Sequence, residues 1–345
     1  MESMIAFEPL KAGEDLWAAY FDHADAIHAE VDPEDPPIPR GKRKAMIAAA
    51  VAIPYMTKRF YLAMDGAMAA GYASVSVENP RSPSYGDNKH VANFSMSVLP
   101  AYRRRGLGTR LLRHVNAELT AAEPQVSELL APVVLESGRG FLDRFGGTVS
   151  LVQAENRLQL KDVDWAMVEA WAADGLGKNP STKIITASVI PEEDIGSFSE
   201  VYSATINQQP LGDISVKMKI TPEQIRDGEE RARGNGVDHI SIYSRERDGT
   251  VSGLTETEYL KESGHKVHQM LTGVKAECRG RGLGKLLKAL MLLYVRREYP
   301  AAGYMVTGNA DSNAPMLAIN NELGFKKHLP LLLYKLPLRG AAMGS

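Results

Sequence analysis

Residues 98–112 of the chain read VLPAYRRRGLGTRLL, and residues 274–288 read VKAECRGRGLGKLLK. Both stretches contain the pattern Arg-x-x-Gly-x-Gly, which begins at Arg103 in the first and at Arg279 in the second. A pattern that recurs in this way indicates an internal duplication, and it has to be recognised before any local structure is assigned.

The surroundings of the two motifs also match. Each motif follows a strand-like run, Val91–Val98 or Val267–Val274, and each opens a run with leucines at helical spacing. Further out, each copy has an upstream strand that begins at a glycine and a downstream helix that ends at one. Four elements in the same order predict two domains of one fold in tandem.

The length of 345 residues is about twice that of an ordinary domain, which fits this duplication. We expect an N-terminal domain over residues 1–160 and a C-terminal domain over residues 183–340. Residues 161–182 are expected to connect them, with a short helix at Asp162–Ala173 and a turn or linker at residues 175–181, GLGKNPS.

Composition narrows the class of protein. With 44% apolar and 24% charged residues the chain has the make-up of a soluble globular protein. Lys and Arg number 40 against 42 Asp and Glu, a balance that argues against a nucleic-acid partner. Cys278 is the only cysteine, which excludes an internal disulfide and a cysteine-rich metal site, and we expect no metal.

The N-terminus shows no export signal, and the apolar runs are too short to cross a bilayer. We therefore expect a cytoplasmic protein with no membrane partner.

The glycine-rich loop is suited to an anion. Glycines let the backbone turn tightly, and the N–H groups of the loop and of the first helical turn favour a phosphate group. Arg279, Arg281 and Lys285 would add positive charge. The loop lacks the Gly-Lys-Ser/Thr of a nucleotide P-loop, and it is not a dinucleotide fingerprint. A plain strand-to-helix turn is the alternative, and duplication in matching contexts disfavours it.

The pattern Val-x-x-x-x-Arg-x-x-Gly-x-Gly at a strand-to-helix junction resembles the coenzyme A pyrophosphate loop of the GNAT acetyltransferases. Residues 307–325, TGNADSNAPMLAINNELGF, are similar to the end of many GNAT domains, mycothiol synthase-like tandem proteins among them. The resemblance covers nearly the whole chain in two-domain layout, although its specific motifs lie mainly in residues 251–325.

The resemblance implies an α/β (α+β) fold class with two tandem GNAT domains. Each would have a mixed, mostly antiparallel sheet flanked by helices, with strands four and five splayed apart and the pantetheine of acetyl-CoA in the gap. In the C-terminal domain it implies these cofactor-binding residues: Leu271, Thr272, Val274, Arg279, Gly280, Arg281, Gly282, Gly284, Lys285, Asn309 and Asn313. In the N-terminal domain it implies Val98, Arg103, Arg104, Gly106, Gly108 and Thr109. Asn313 has helix capping as an equal alternative.

Acyl transfer to an amine needs a base and donors for the developing oxyanion. Glu256 and Glu258 are two residues apart on a predicted strand and share a face, and His268 lies on the adjacent strand. We predict that these three are the catalytic candidates. The alternative to a catalytic role is simple solvation for the two carboxylates and a structural or surface role for His268. The counterparts in the first copy cannot act as bases near neutral pH: Ser74, Ser76 and Ala92.

This asymmetry predicts a catalytic C-terminal domain and a degenerate N-terminal one. Many GNAT enzymes carry a tyrosine, acting as general acid, five residues before the phenylalanine of Leu-Gly-Phe. That position is Asn320 here and Leu142 in the first copy, so the general acid is unassigned.

The expected activity is transfer of an acetyl group from acetyl-CoA to a primary amine of a small molecule or peptide, by direct attack in a ternary complex. An aminoacyl or peptidyl transferase of the related tandem type is an alternative, disfavoured by the balanced charge. A regulatory protein that binds acyl-CoA without catalysis is another. The acceptor is expected to face the region Tyr202–Asp213, whose polar residues do not identify it.

Overall fold

The structure is a computed structural model that describes residues 2–338. Two compact units divide the chain. In the described chain, unit 1 comprises residues 2–151, 212–217 and 331–338, and unit 2 comprises residues 152–211 and 218–330.

The helices and strands follow the duplicated order predicted from the sequence. The first half contains β1 (Ser3–Ala6), α1 (Glu14–Val31), α2 (Arg40–Val51), β2 (Met56–Asp65), β3 (Met68–Glu78), α3 (Tyr85–Asn88), β4 (Val91–Val98), α4 (Leu107–Ala122), β5 (Glu128–Val133), α5 (Glu136–Arg144) and β6 (Thr148–Gln159). The second half contains α6 (Trp165–Lys178), β7 (Lys183–Ala187), α7 (Glu192–Ile206), α8 (Pro222–Gly234), β8 (Val237–Arg245), β9 (Val251–Leu260), β10 (Lys266–Val274), α9 (Leu283–Glu298), β11 (Tyr304–Ala310), α10 (Ala314–Leu323) and β12 (Lys326–Pro337).

Each unit is built on a mixed, mostly antiparallel set of strands, which confirms the predicted fold class. In unit 1 the order is β1-β2-β3-β4-β5-β12, with β4 and β5 parallel. In unit 2 the order is β6-β11-β10-β9-β8-β7, with β10 and β11 parallel.

The two halves of the chain exchange their last strands. Residues 332–337 of β12 pair with β5 in unit 1, and residues 153–159 of β6 pair with β11 in unit 2. The limits of the two units therefore differ from the expected domain boundaries at 160 and 183. The last strand of the first half pairs in unit 2, and the last strand of the second half pairs in unit 1. The expected end at residue 340 lies outside the described residues.

The segment expected to be a linker is a packed helix of unit 2. Helix α6 continues to Lys178, through residues that the sequence predicted as a turn. Val168 and Ala172 are buried, and a Cβ at Gly175 would lie 2.7 Å from the Cβ of Leu286. A glycine inside a helix costs about 1 kcal/mol, and here it permits the close contact between α6 and α9.

The glycine-motif helices α4 and α9 bury matching faces. Leu107 and Leu111 of α4 correspond to Leu283 and Leu287 of α9, and all four are buried. The next matched pair differs, since Leu112 corresponds to Lys288. Complete burial lowers the pKa of the Lys288 amine to about 7. No helix in residues 2–338 is long and apolar enough to span a membrane.

Candidate active site

Both units open a wedge between their fourth and fifth strands. β10 pairs with β11 over Lys266–His268 and beyond that point pairs only with β9 in the described chain. β4 pairs with β5 over Val91–Asn93 in the same way. The last residues of β4 and β10 therefore have a free backbone edge, as the resemblance implied.

Backbone N–H groups of these strands point into the wedge. The N–H of Leu99 donates to Ala70 of β3, and that of Lys275 donates to Ser252 of β9. Since successive N–H groups of a strand point to opposite sides, those of Val98 and Val274 point to the free edge. They can donate hydrogen bonds to an extended ligand.

The glycine loops lead directly into helix N-termini that lack capping side chains. Gly106 and Gly282 both have φ of 80° and precede α4 and α9. The first helical bonds run from Arg110 to Gly106 and from Leu286 to Gly282. The N–H groups of the preceding three residues in each helix therefore have no partner within the helix: Leu107, Gly108 and Thr109, and Leu283, Gly284 and Lys285.

The glycines of each motif have different tasks. A Cβ at Gly280 or Gly282 would meet nothing within 4 Å, so a ligand has room at these positions. A Cβ at Gly108 would lie 3.2 Å from the ring of Phe141, and one at Gly284 would lie 3.6 Å from Ile319. The last glycine of the motif therefore lets the following short helix pack closely.

The first arginine of each motif ties the loop to the end of the preceding strand. Arg103 Nε donates to the carbonyl oxygen of Val98 at 2.9 Å. Arg279 Nε makes the matching contact with Val274 at 3.5 Å. Their guanidinium tips contact Glu30 in unit 1 and Gln208 in unit 2.

The two other cations of the second loop are held by acidic residues. Arg281 contacts both carboxylate oxygens of Glu246 at 3.1 Å. Lys285 contacts Glu322 at 2.6 Å and lies 4.2 Å above the ring of Trp171. The backbone N–H groups are therefore the main hydrogen-bond donors that this loop could offer to a phosphate.

In the first loop, Arg104 lies at the position matched by Gly280, and it is the one non-glycine residue with positive φ that the structure records, at 61°. Neither Arg104 nor Arg105 forms a salt bridge within the described part of the chain.

A carboxylate cluster lies on the face of unit 2 that α7 covers. Glu256 is 2% exposed, and its Oε1 accepts hydrogen bonds from Ser241 at 3.0 Å and His239 Nε2 at 3.2 Å. The other ring nitrogen of His239 lies 3.3 Å from Glu258 Oε1. One imidazole therefore bridges the two carboxylates that the sequence predicted to share a face.

The cluster has a defined protonation state. Burial alone would lower the pKa of His239, but the hydrogen bonds and charges of Glu256 and Glu258 outweigh it and raise the pKa to about 10. The hydrogen bond from His239 in turn lowers the pKa of Glu258. Burial and the charge of Glu256 raise the pKa of Tyr202 on α7, so its phenol remains protonated at neutral pH.

A β-bulge in β10 lies directly opposite Glu256. Between Gln269 and Thr272 the strand carries one residue more than the facing segment of β9. Gln269 Nε2 donates to the backbone carbonyl of Glu256 at 2.7 Å. Glu256 Oε2 is buried and has no hydrogen-bond partner at normal distance in the described structure, and the phenol of Tyr202 on α7 interacts with this carboxylate.

The remaining candidates lie on β10, on β11 and at the start of α10. His268 is exposed and pairs with Glu258 across β9 and β10. Asn309 Oδ1 accepts a hydrogen bond of 2.6 Å from Asn320, which is itself buried. Asn313 occupies the N-cap position of α10 without a capping bond from its side chain.

Sequence reasoning missed His239 and Ser241. The signal was present in residues 238–244, DHISIYS, where His239, Ser241 and Tyr243 alternate along one strand face. Only the register of β8 against β9 shows that the face meets Glu256 and Glu258.

The matched face of unit 1 holds a cavity of about 160 Å³ instead. Ser74 and Ser76 line it together with Lys58 and Phe60, which occupy the positions of His239 and Ser241.

Residues 18–130 match the family model described as the acetyltransferase (GNAT) family. No curated protein matches the sequence. A tandem GNAT protein from the clavulanic acid biosynthesis pathway has a similar structure, with a TM-score of 0.75 and 19% identity over 98% of this chain and 99% of that one. A GCN5-related N-acetyltransferase from Sphaerobacter thermophilus matches with a TM-score of 0.64 and 16% identity over 98% and 96% of the two chains.

The TM-scores and coverage establish the fold of the whole chain, and at identities this low the two structures show the fold alone. The family match adds a sequence signal within the first half. The whole chain therefore has the tandem fold of these two structures, and residues 18–130 carry the sequence pattern of the acetyltransferase (GNAT) family.

Proposed function

We propose that unit 2 transfers an acetyl group from acetyl-CoA to a primary amine of a small molecule or peptide, by direct attack in a ternary complex. The observation that carries this proposal is the buried, unpartnered Oε2 of Glu256 beside the bulge of β10, the strand whose other edge is free. A proton acceptor and a free strand edge then lie on neighbouring strands.

The residues of unit 2 fit coenzyme A. The free N–H groups of Leu283, Gly284 and Lys285 suit a pyrophosphate, and the open space at Gly280 and Gly282 admits it. The free edge of β10 near Val274 suits the amide groups of a pantetheine arm. Bound there, acetyl-CoA supplies the thioester whose carbonyl carbon the amine attacks.

Glu256 has the features of the base. An amine reaches the site mostly as an ammonium ion and has to lose a proton before it can attack. Ser241 and His239 hold Oε1 in place, which leaves Oε2 to take the proton. His239 acts as a positioning residue, since it contacts both carboxylates and lowers the pKa of Glu258.

The free N–H groups of β10 supply the donors for the oxyanion, because a fixed backbone dipole needs no reorganisation when the charge develops. Tyr202 keeps its proton and therefore acts in this site as a donor.

A panel of amines with acetyl-CoA, followed by thiol release and mass spectrometry of the product, tests the proposal. Gly282→Asp places a carboxylate where the pyrophosphate must lie, and we expect it to abolish acetylation and weaken coenzyme A binding at this loop in calorimetry. Gly249→Asp is the matched control, because Gly249 also has positive φ and open space but lies in the turn between β8 and β9.

Full acetylation by a folded Gly282→Asp variant would contradict the proposal. Binding of coenzyme A without acetylation of any amine would instead identify a binding module.

A further inference from the structure

A serine and a histidine meet at the free end of β4 in unit 1. His23 of α1 is 2% exposed. Its Nε2 lies 2.7 Å from Ser97 Oγ, and its Nδ1 lies 2.9 Å from the carbonyl oxygen of Ala69. Since a carbonyl oxygen only accepts hydrogen bonds, Nδ1 carries the ring proton of the neutral imidazole. Nε2 is then the acceptor, and the hydroxyl of Ser97 donates to it.

We propose that unit 1 holds a second reaction site, in which Ser97 is a nucleophile activated by His23 and takes the acyl group of an acyl thioester. A nucleophile within hydrogen-bond reach of a base, with that base oriented by a third group, is the arrangement that covalent catalysis requires. Where the thioester is acyl-CoA, the inference rests on the coenzyme A binding proposed for unit 2 and extends it to the matching glycine loop of unit 1.

The position of Ser97 on β4 suits this role. It lies beyond Asn93, where pairing with β5 ends, and it is only partly buried. The neighbouring N–H groups of Met96 and Val98 point to the free edge, where they can donate to the oxygen of a carbonyl under attack. Arg103 of the glycine loop contacts the carbonyl of Val98, so the same short segment joins the nucleophile to the anion site.

His23 has the protonation state of a base. Burial lowers its pKa below the usual value, against a smaller opposing effect of the hydrogen bond to Ala69. The imidazole is therefore neutral at pH 7.

Unit 2 shows that the fold does not need this pair. The position matched to Ser97 is Gly273, where a Cβ would lie 2.3 Å from the Cβ of Thr205 on α7. A helix in contact with a glycine fulfils the packing role there. The serine and the histidine of unit 1 are thus an addition to the common backbone.

The reaction balances without any redox partner. Ser97 Oγ forms a bond to the acyl carbon as the carbon–sulfur bond breaks, and the hydroxyl proton passes to His23 Nε2 and then to the leaving thiolate. Water next attacks the serine ester and loses a proton to His23. That proton returns to Ser97 Oγ as the carboxylic acid leaves.

A fluorophosphonate that phosphonylates activated serines tests the nucleophile without coenzyme A. We expect the full chain to be labelled at Ser97 by peptide mapping, with no label there in Ser97→Ala. Ser95→Ala is the matched control, since Ser95 is exposed on the same face of β4 and its removal should leave labelling intact. His23→Gln should slow labelling about 100-fold, the lower range for a lost base. Ser97→Ala keeps the test valid if His23→Gln fails to fold.

The acetyl thioester of N-acetylcysteamine tests the reaction itself, because it carries the reactive bond without the nucleotide. We expect thiol release in the absence of any amine, an acetyl adduct on Ser97, and loss of both in Ser97→Ala.

A folded wild-type chain that shows neither label nor adduct at Ser97 would overturn the inference. So would equal thiol release by Ser97→Ala. Failure of the function proposed for unit 2 looks different, because amine acetylation would then be missing while the reactions at Ser97 proceed.

Discussion

At matched positions of their strands, unit 2 carries four side chains joined by hydrogen bonds, whereas the side chains of unit 1 line a cavity. Facing residues of β8 and β9 supply the set His239, Ser241, Glu256 and Glu258. Facing residues of β2 and β3 supply Lys58, Phe60, Ser74 and Ser76. The loops that follow are alike in backbone, with φ of 80° at both Gly106 and Gly282. The two loops are thus alike in backbone, and the units differ in the side chains of the strands.

The fourth strands differ in the same sense. β3 and β4 pair residue by residue from Gly71 and Val98 to Ser76 and Asn93, whereas β10 carries the bulge opposite Glu256. A bulge redirects a side chain and the local backbone, and bulges are frequent beside active sites. The bulge and the carboxylate cluster are therefore two neighbouring features of unit 2 that the matched strands of unit 1 lack.

The largest effect is expected from Glu256→Gln. It keeps the size of the side chain but cannot accept a proton, so kcat/KM for amine acetylation should fall about 10²–10⁴-fold, or about 3–5 kcal/mol of barrier. Ser74→Ala at the matched position of unit 1 should leave this rate unchanged. More than about a third of the wild-type rate in Glu256→Gln would exclude Glu256 as the base, because even the smallest expected loss is about 100-fold.

A second difference between the units should appear in stability. His239→Ala leaves Glu256 as a buried carboxylate without its cation, and we expect the free energy of unfolding to fall by about 3 kcal/mol near pH 6. The folded pKa of His239 is raised to about 10, above the unfolded value of about 6.5. Its stabilisation is therefore fully present below about pH 6.5 and is lost as the pH rises through about 10.

Urea unfolding at pH 6, 8 and 10 measures this effect. The gap between wild type and His239→Ala should narrow as the pH rises, and a gap of constant size would contradict the charged state of His239.

Paired loop variants compare the anion sites. Gly106→Asp and Gly282→Asp should each remove one coenzyme A site in calorimetry, with a loss of at least about 1.4 kcal/mol, or tenfold, at the altered loop. Amine acetylation should be lost only in Gly282→Asp, and acylation of Ser97 by acetyl-CoA only in Gly106→Asp. Equal loss of both reactions in either folded variant would mean that the two units do not act separately.

The smallest effect concerns the loop backbone. Arg104 has φ of 61°, a conformation that costs a non-glycine residue about 1–2 kcal/mol. Arg104→Gly should therefore stabilise the chain by about 0.5–1 kcal/mol, after allowance for the greater unfolded-state entropy of glycine. The reverse change at the matched position, Gly280→Arg, should destabilise it by a similar amount in urea unfolding, and a change of the same sign in both would contradict this account.

The sequence predicted what depends on local patterns. The duplicated loop, the helices that follow it and the strand that precedes it are each written in one short segment, such as Val91–Val98 for β4. The shared face of Glu256 and Glu258 also follows from the alternation of side chains along one strand.

Features that depend on pairing between distant segments could not be predicted. His239 enters the cluster through the register of β8 against β9, and the bulge is visible only as a mismatch between β9 and β10. The continuation of helix α6 from Ala173 to Lys178 was missed because Gly175 breaks the helical pattern locally, while its contact with Leu286 lies far away in sequence.

The exchange of terminal strands sets a schedule for synthesis. β5 gains its neighbour β12 only when residues 332–337 exist, roughly 200 residues after β5 itself. At about 5–20 residues per second this is a delay of roughly 10–40 s. During that time unit 1 presents an unpaired strand edge, which is a template for pairing with other chains. If translation stalls within the second half of the chain, the sheet of unit 1 still lacks its last strand, β12.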